Sequence, residues 1–409
     1  MAASAEAAVR SELPQVYGGH LNKRCDSTNK SPMQSCEIEF LTIIRPPLHT
    51  SPLPPNQSAT PMRFITVILL ALSIAAPSFA TEDTSQTKTG AAMVKAASTL
   101  VAALSPAEKA KIVLAYDDPR RTDWHNIPKP ERKGLPLRDM SNELKDLTQE
   151  LLKVSLSASG YEKATRIMSL ENNLFEDEKK LKTAPLRDPQ RYFLSIFGTP
   201  SSKGTWGFSF EGHHLSLNFV VSDGAVVSDT PSFWGANPTI VRTYITGGPE
   251  VGVRTLKDEE ELGFKLVKSL DEKQKQVAIR ADKSPAEYRA GGSPQPPLTP
   301  PEGIAASELN KEQSEILWDL IKAYNSHLTD DVAAGNIEEI RQANFGRVHF
   351  GWWGATEPGI GHYYRVQGPT FVLEFVNYQD GVEGTKANHI HSVWRSLKGD
   401  FAIPIKGGN

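Results

Sequence analysis

The sequence predicts an α+β protein made of two pseudo-symmetric halves, each running helix, helix, strand, strand, strand, with the sheets packed under the helices. Three observations carry this reading. Apolar residues recur at three and four residues in several stretches, as on one face of a helix. Aromatic and β-branched runs punctuated by Gly and Pro follow those stretches, as in a strand meander. The order then occurs twice: residues 191–220 align without gaps on residues 347–376 at a constant offset of 156, with Arg191/Arg347, Gly198/Gly354, Gly212/Gly368, Leu217/Leu373, Phe219/Phe375 and Val220/Val376 identical.

The chain ahead of residue 81 reads as targeting rather than fold. Met62 and Arg63 give a short positive region, residues 64–76 an apolar run broken only by Thr66 and Ser73, and Ser78-Phe79-Ala80 small residues at the positions a signal peptidase reads. A helix across a bilayer takes roughly 20 apolar residues, so residues 62–80 are expected to be a signal peptide cleaved near Ala80. The product would be exported, periplasmic or secreted, with no membrane association afterwards. Residues 1–61, with clustered Ser, Pro and Asn and no periodicity, are expected to be a disordered or spurious extension. Both cysteines, Cys25 and Cys36, fall there, which leaves residues 81–409 without disulfides or thiolate ligands. A net charge of only -3 with no basic block argues against nucleic acid as a partner.

After the signal, Ser105-Pro106-Ala107-Glu108 is a capping box opening a helix that runs to Tyr116. Leu144, Leu147, Leu151 and Val154 predict one amphipathic helix, and Ala164, Ile167, Met168 and Leu174 a second, joined at Gly160. Strands are expected from Tyr192 to Val227, with Phe233-Trp234-Gly235-Ala236-Asn237-Pro238 an aromatic loop. A further helix follows Thr255 to about Ile279. Residues 291–303, interrupted by prolines, read as a linker between a region 81–290, holding the first half, and a second half 304–409. That second half opens with helices over residues 307–324 and 330–342 and returns to strands.

Five histidines lie in or beside the strand regions: His213, His214, His362, His389 and His391. In a hairpin turning through Gly212-His213, alternation puts Leu215, Leu217 and Phe219 on the core face and His214 and Asn218 on the other, with Glu374 the counterpart of Asn218. Near the C-terminus His389, His391 and Arg395 point one way, Ile390 and Trp394 the other. Two imidazoles at i and i+2 on one strand face reach a single ion. Neutral imidazole suits zinc, copper or iron, and a carboxylate completes a mixed set. The candidate metal ligands are therefore His214, Glu374, His389 and His391. Glu211, Arg395 and Asn388 are candidates for the chemistry or for orienting a polar substrate. The competing reading of Glu211-Gly212-His213-His214 is a turn whose rings bond backbone groups.

Phe210-Glu-Gly-His-His-Leu-Ser-Leu-Asn-Phe219, Gly235-Ala-Asn-Pro238, His362-Tyr-Tyr-Arg-Val-Gln-Gly-Pro369 and Ala387-Asn-His-Ile-His-Ser-Val-Trp-Arg395 together resemble the exported bacterial family known as domain of unknown function 3500. The resemblance covers nearly all of the chain after residue 80. It implies one family-wide unit and an exported life, and it carries over no catalytic assignment. One position departs from it: an acidic residue tends to follow the Trp-Arg pair in the family, where this chain has Ser396. Two functions stay open at this point. One is a metal-dependent enzyme, hydrolase or oxidoreductase, with its site between the halves. The other is an exported protein that binds a small-molecule ligand without chemistry and whose histidines are structural.

Overall fold

The computed structural model describes residues 87–182, 186–381 and 384–405. The expected signal peptide over 62–80, the extension over 1–61 and both cysteines lie outside the described residues. No described helix is long and apolar enough to cross a membrane.

The chain begins with α1 (Thr87–Ala103), α2 (Pro106–Ile112), β1 (Val113–Leu114) and β2 (Leu135–Pro136). Then come α3 (Asn142–Ser155), α4 (Ala158–Glu178), β3 (Phe193–Phe197), β4 (Thr205–Gly212) and β5 (Leu215–Ser222). Two short strands follow, β6 (Ala225–Ser228) and β7 (Ser232–Ala236). A second series has α5 (Lys257–Ser269), α6 (Glu272–Ala278), β8 (Ile279–Ala281) and β9 (Ile304–Ala305). It continues through α7 (Lys311–Asn325), α8 (Asp330–Gln342), β10 (His349–Gly354), β11 (His362–Gln367) and β12 (Phe371–Asn377), and β13 (Ile390–Ser396) closes the chain.

Local chemistry sets the boundaries. Ser105 caps α2 in the expected box with Glu108, but the helix stops at Ile112, not Tyr116, because Val113 and Leu114 leave it to pair in parallel with Ile196 and Phe197. The break between α3 and α4 falls at Ser157, the N-cap of α4, rather than at Gly160. Gly160 instead sits in the first turn of α4, where a Cβ would lie 2.1 Å from the carbonyl oxygen of His327. The single helix expected over 255–279 is two, because Asp271 restarts the chain in a capping box with Gln274.

All the strands join one 13-stranded mixed sheet, with β1, β3, β4, β5, β7, β13, β12, β11, β10 and β8 neighbours in that order. The expectation of separate sheets is corrected by β7 and β13, which pair antiparallel at the centre, His391 opposite Gly235 and Val393 opposite Phe233. The aromatic loop expected at Phe233-Trp234 is thus a central strand. Its alternation buries both sides, Trp234 in the main core under the helices and Phe233 in a smaller cluster on the opposite face with Trp124, Tyr288, Tyr363, Val376, Val393 and Phe401.

Pairing registers recur across the two series. Phe193 faces Glu211 and His349 faces Gln367; Glu211 faces Ser216 and Gln367 faces Val372. Val113 pairs with Ile196 as Ile279 pairs with Trp352, and Leu135 with Leu194 as Ile304 with Phe350. On β3 to β5 against β10 to β12 every one of these positions differs by 156. Gly212 and Gly368 stand at corresponding ends of two-residue hairpin turns.

Residues 291–303 form no helix or strand, as their prolines dictate, yet they are not a free linker. They lie as a strap across the aromatic face. Ser293 O accepts from Trp124 Nε1 at 2.9 Å and from Arg395 Nη2 at 2.7 Å, and Thr299 O accepts from Gln367 Nε2 at 2.8 Å. Buried donors of Trp124, Arg395 and Gln367 supply the anchors, since a buried donor left unpaired costs about 1–3 kcal/mol.

Candidate metal centre

The β4–β5 hairpin turns through His213 and His214, and the second of these takes the left-handed conformation with φ 62°. His214 is therefore a turn residue and not, as expected, the first residue of a strand. Non-glycine side chains adopt this region at a cost, and it recurs at functional sites. The backbone is held there from both sides: His214 N donates to Asn126 O at 3.0 Å, and Gly235 N donates to His214 O at 2.8 Å. The turn thereby sits over β7, whose neighbour β13 carries His391 opposite Gly235. A Cβ at Gly235 would come within 2.9 Å of His214 Cδ2 and 3.0 Å of Ile390 O. Gly235→Ala is expected to push the His214 ring out of place and lower the melting temperature; a variant with wild-type stability and metal uptake would contradict this role.

Three imidazoles meet there. Nε2 of His389 lies 2.6 Å from Nε2 of His214 and 3.0 Å from Nε2 of His391. The donor atoms of all three lie within 4.8 Å of one another. A ring nitrogen has one in-plane site, holding either a proton or a lone pair. An N–H···N bond meets one of the two neighbours of His389 Nε2 and leaves the other facing a like site. A cation at the shared position accepts all three lone pairs. Nitrogens about 2.0–2.1 Å from one ion stand roughly 3 to 3.4 Å apart, close to the two distances His389 Nε2 makes here.

Burial and neighbouring charge prepare the rings as ligands. Burial first, then the adjacent imidazoles, hold His214 and His389 well below the usual histidine range. Both are neutral at pH 7 and carry free lone pairs. Nδ1 of His391 bonds the Glu287 carboxylate at 2.6 and 2.8 Å, the outer partner that fixes a ligating imidazole with Nε2 toward an ion. Nδ1 of His389 lies 3.4 Å from the Asn237 side-chain amide. His214 and His391 are buried and His389 is mostly buried, the one ring of the three with some exposure to solvent.

Behind His214 a second group shares its ring. His213 stacks on it with centroids 3.6 Å apart, and His213 Nδ1 is 2.5 Å from Glu171 Oε1. Burial pushes Glu171 up to about 8 against the pull of Arg187 and holds His213 well below the usual histidine range, while Arg187 Nη1 also lies 2.9 Å from His213 Nδ1. The depressed imidazoles set a pH dependence for the ion-free protein. His213, His214 and His389 have folded pKa values below the unfolded value of about 6.5, so below that pH the unfolded chain binds more protons and stability falls. Chemical denaturation of chelator-treated protein is expected to show unfolding free energy dropping as pH is lowered from about 6.5 to 5, where the three imidazoles outweigh the opposite effect of the raised Glu171 carboxyl. A flat profile over that window would contradict the buried neutral rings.

The other residues singled out by sequence lie elsewhere. Glu374 is on the expected face, but its partner on β13 is Val393, two residue pairs along from His391, which faces Val376. It is instead bonded by Arg365 Nη1 at 2.9 Å, Tyr363 Oη at 2.5 Å and Arg289 N at 3.0 Å, so it has no free oxygen to offer an ion at the imidazoles. Glu211 is buried in an ion pair with Lys133 at 3.0 Å, with Arg132 at 3.7 Å. Arg395 Nε bonds Asp400 Oδ2 at 2.6 Å and its guanidinium stacks over Trp124. Asn388 Oδ1 accepts from Thr239 N at 3.2 Å, closing the turn after β7 against β13. His362 lies away from the cluster, stacked on Trp352 and 3.4 Å from Glu260. Glu287 was not legible as a site residue: it comes from an irregular segment 104 positions before His391 and belongs to no periodic pattern.

Fold and site together define an α+β protein with one mixed sheet that presents three imidazoles, His214 from a hairpin turn, His389 from the residue before the central strand and His391 from that strand. The chain belongs to the family described as "Protein of unknown function (DUF3500)", whose sequence model matches residues 86–403. No curated protein and no solved structure matches the chain.

Proposed function

We propose that His214, His389 and His391 hold one transition-metal ion, zinc by preference, and that the protein is an exported metal-dependent hydrolase. The observation that supports it is the position of His389 Nε2, within 3.0 Å of two other ring nitrogens that protons alone cannot both satisfy. Three neutral nitrogens suit zinc, copper or iron; zinc is favoured because three protein ligands with an open fourth position are its usual catalytic arrangement. Such an ion lowers the pKa of a bound water toward neutrality or polarises a carbonyl. Glu287 holds His391 in the ligating orientation, His389 lies on the solvent side where substrate enters, and the Tyr288 and Phe233 rings bound the site beside His391. The recurrent registers support a duplicated unit in which the two series meet at β7 and β13, beside the cluster. Export rests on the signal read in residues 62–80 and is tested by N-terminal sequencing of secreted material.

Metal analysis of protein purified without a histidine tag tests the centre. About one equivalent of zinc, copper or iron per chain is expected, either as isolated or after reconstitution. Less than about 0.2 equivalents with no gain on reconstitution would leave the histidines structural and favour a ligand-binding protein without chemistry.

A further inference from the structure

A cavity of about 1210 Å³ lies between α8, the β6–β7 connection and the C-terminal segment, lined by Asp229, Asn336, Thr370, Phe371, Trp394 and Lys398 among others. Trp394 and His391 point to opposite faces of β13, so this cavity is separate from the imidazoles. Its volume exceeds the roughly 300–1,000 Å³ of ordinary small-molecule sites. One wall is apolar, where Phe371 and Trp394 stack with centroids 4.7 Å apart and planes 7° from parallel.

The charges around it do not balance. Glu339 is paired with Lys398 at 2.6 Å and Glu338 with Arg341 at 3.8 Å. Asp229, only 8% exposed, has a single side-chain partner, the Asn336 amide donating to Oδ2 at 2.8 Å. Among the described residues no Lys, Arg or His lies within ion-pair distance of it. An ionised carboxylate buried without a counter-charge is expensive. Burial accordingly pushes Asp229 up to about 6, and Glu339 and Asp400 push in the same direction. The cavity therefore offers an acceptor, one unmatched negative charge at neutral pH and an aromatic wall.

We propose that this cavity binds a small amphipathic amine, its ammonium bonded to Asp229 and its apolar body against Phe371 and Trp394. An ammonium supplies the missing charge as well as N–H donors, and a charge-assisted bond in a buried setting is stronger than a neutral one. A protonated amine beside an aromatic wall gains further from the ring faces.

Calorimetric titration of the full chain with 2-phenylethylamine and with 2-phenylethanol, at about pH 7.5 where the amine is charged, tests the proposal. The amine is expected to bind about tenfold or more tighter than the alcohol. Asp229→Asn should erase that preference. Ala334→Trp, at an exposed position of α8 that lines the opening, should abolish binding of both compounds while leaving the fold intact, so the site is testable even if the Asp229 variant does not fold. Equal affinity for amine and alcohol, a preference that survives Asp229→Asn, binding unaffected by Ala334→Trp, or no binding of the amine at millimolar concentration would each overturn it.

Discussion

Replacing His389 by alanine is expected to lower zinc affinity by more than about 100-fold, because it removes the ligand through which the other two imidazoles meet. Glu287→Gln should weaken it less, by about 10- to 100-fold, since the amide keeps a hydrogen bond to His391 Nδ1 but loses the carboxylate charge that raises ligand basicity. Competition against a chromophoric chelator measures both. Stability gives an independent readout: at a hundredfold excess of free zinc over the dissociation constant, the ion contributes about 2.7 kcal/mol. Wild-type protein should then melt lower after chelation, and His389→Ala should melt at the same temperature with or without chelator. Unchanged affinity in His389→Ala would remove the centre as proposed, whatever happens to stability.

The second large effect concerns Arg395, which the sequence marked for a role in chemistry. Its side chain is 1% exposed and its partner Asp400 0%. Arg395→Met leaves the Asp400 carboxylate buried with the Ser396 N–H at 2.9 Å as a remaining donor and also strips two donors from the carbonyls of Ala290 and Ser293. Breaking one side of such a pair costs about 3–5 kcal/mol. The double variant Arg395→Met/Asp400→Asn should recover part of that, and both should bind metal like the wild type once folded. A normal melting temperature in the single variant, with lost metal binding or activity, would return Arg395 to the site.

The contrast between His391 and Arg395 shows where sequence reasoning reaches and where it stops. Period-two alternation places both on one face of β13, and helical periodicity finds α3, α4, α7 and α8, because these patterns are written in consecutive residues. Alternation gives the face but not the height along the strand. Glu374 has the right face and stands two pairs away from His391, which is enough to hand it to Arg365. The central position of β7 was hidden for a different reason: its partner β13 lies more than 150 residues further on, and no local pattern specifies which distant strand an apolar run will join. Glu287 was hidden in the same way, since only the path of the proline-rich strap across the sheet brings it to His391. The likeness at offset 156 was visible because the hairpins share glycines and core residues, while the helices before them differ in length, 21 residues in α4 against 13 in α8.

Among the described strands, the central one, β13, comes last in the sequence. Until residues 390–396 are made, β7 and β12 each present an unpaired edge, and no edge protection of the kind used by finished sheets is in place. A premature stop anywhere before residue 390 therefore does more than remove a terminal segment. It leaves two partial sheets with facing open edges and takes His391 with it, so edge-to-edge aggregation is the expected fate of the truncated chain. Frameshift and nonsense alleles late in the reading frame should accordingly behave as full losses, with the product recovered in the insoluble fraction.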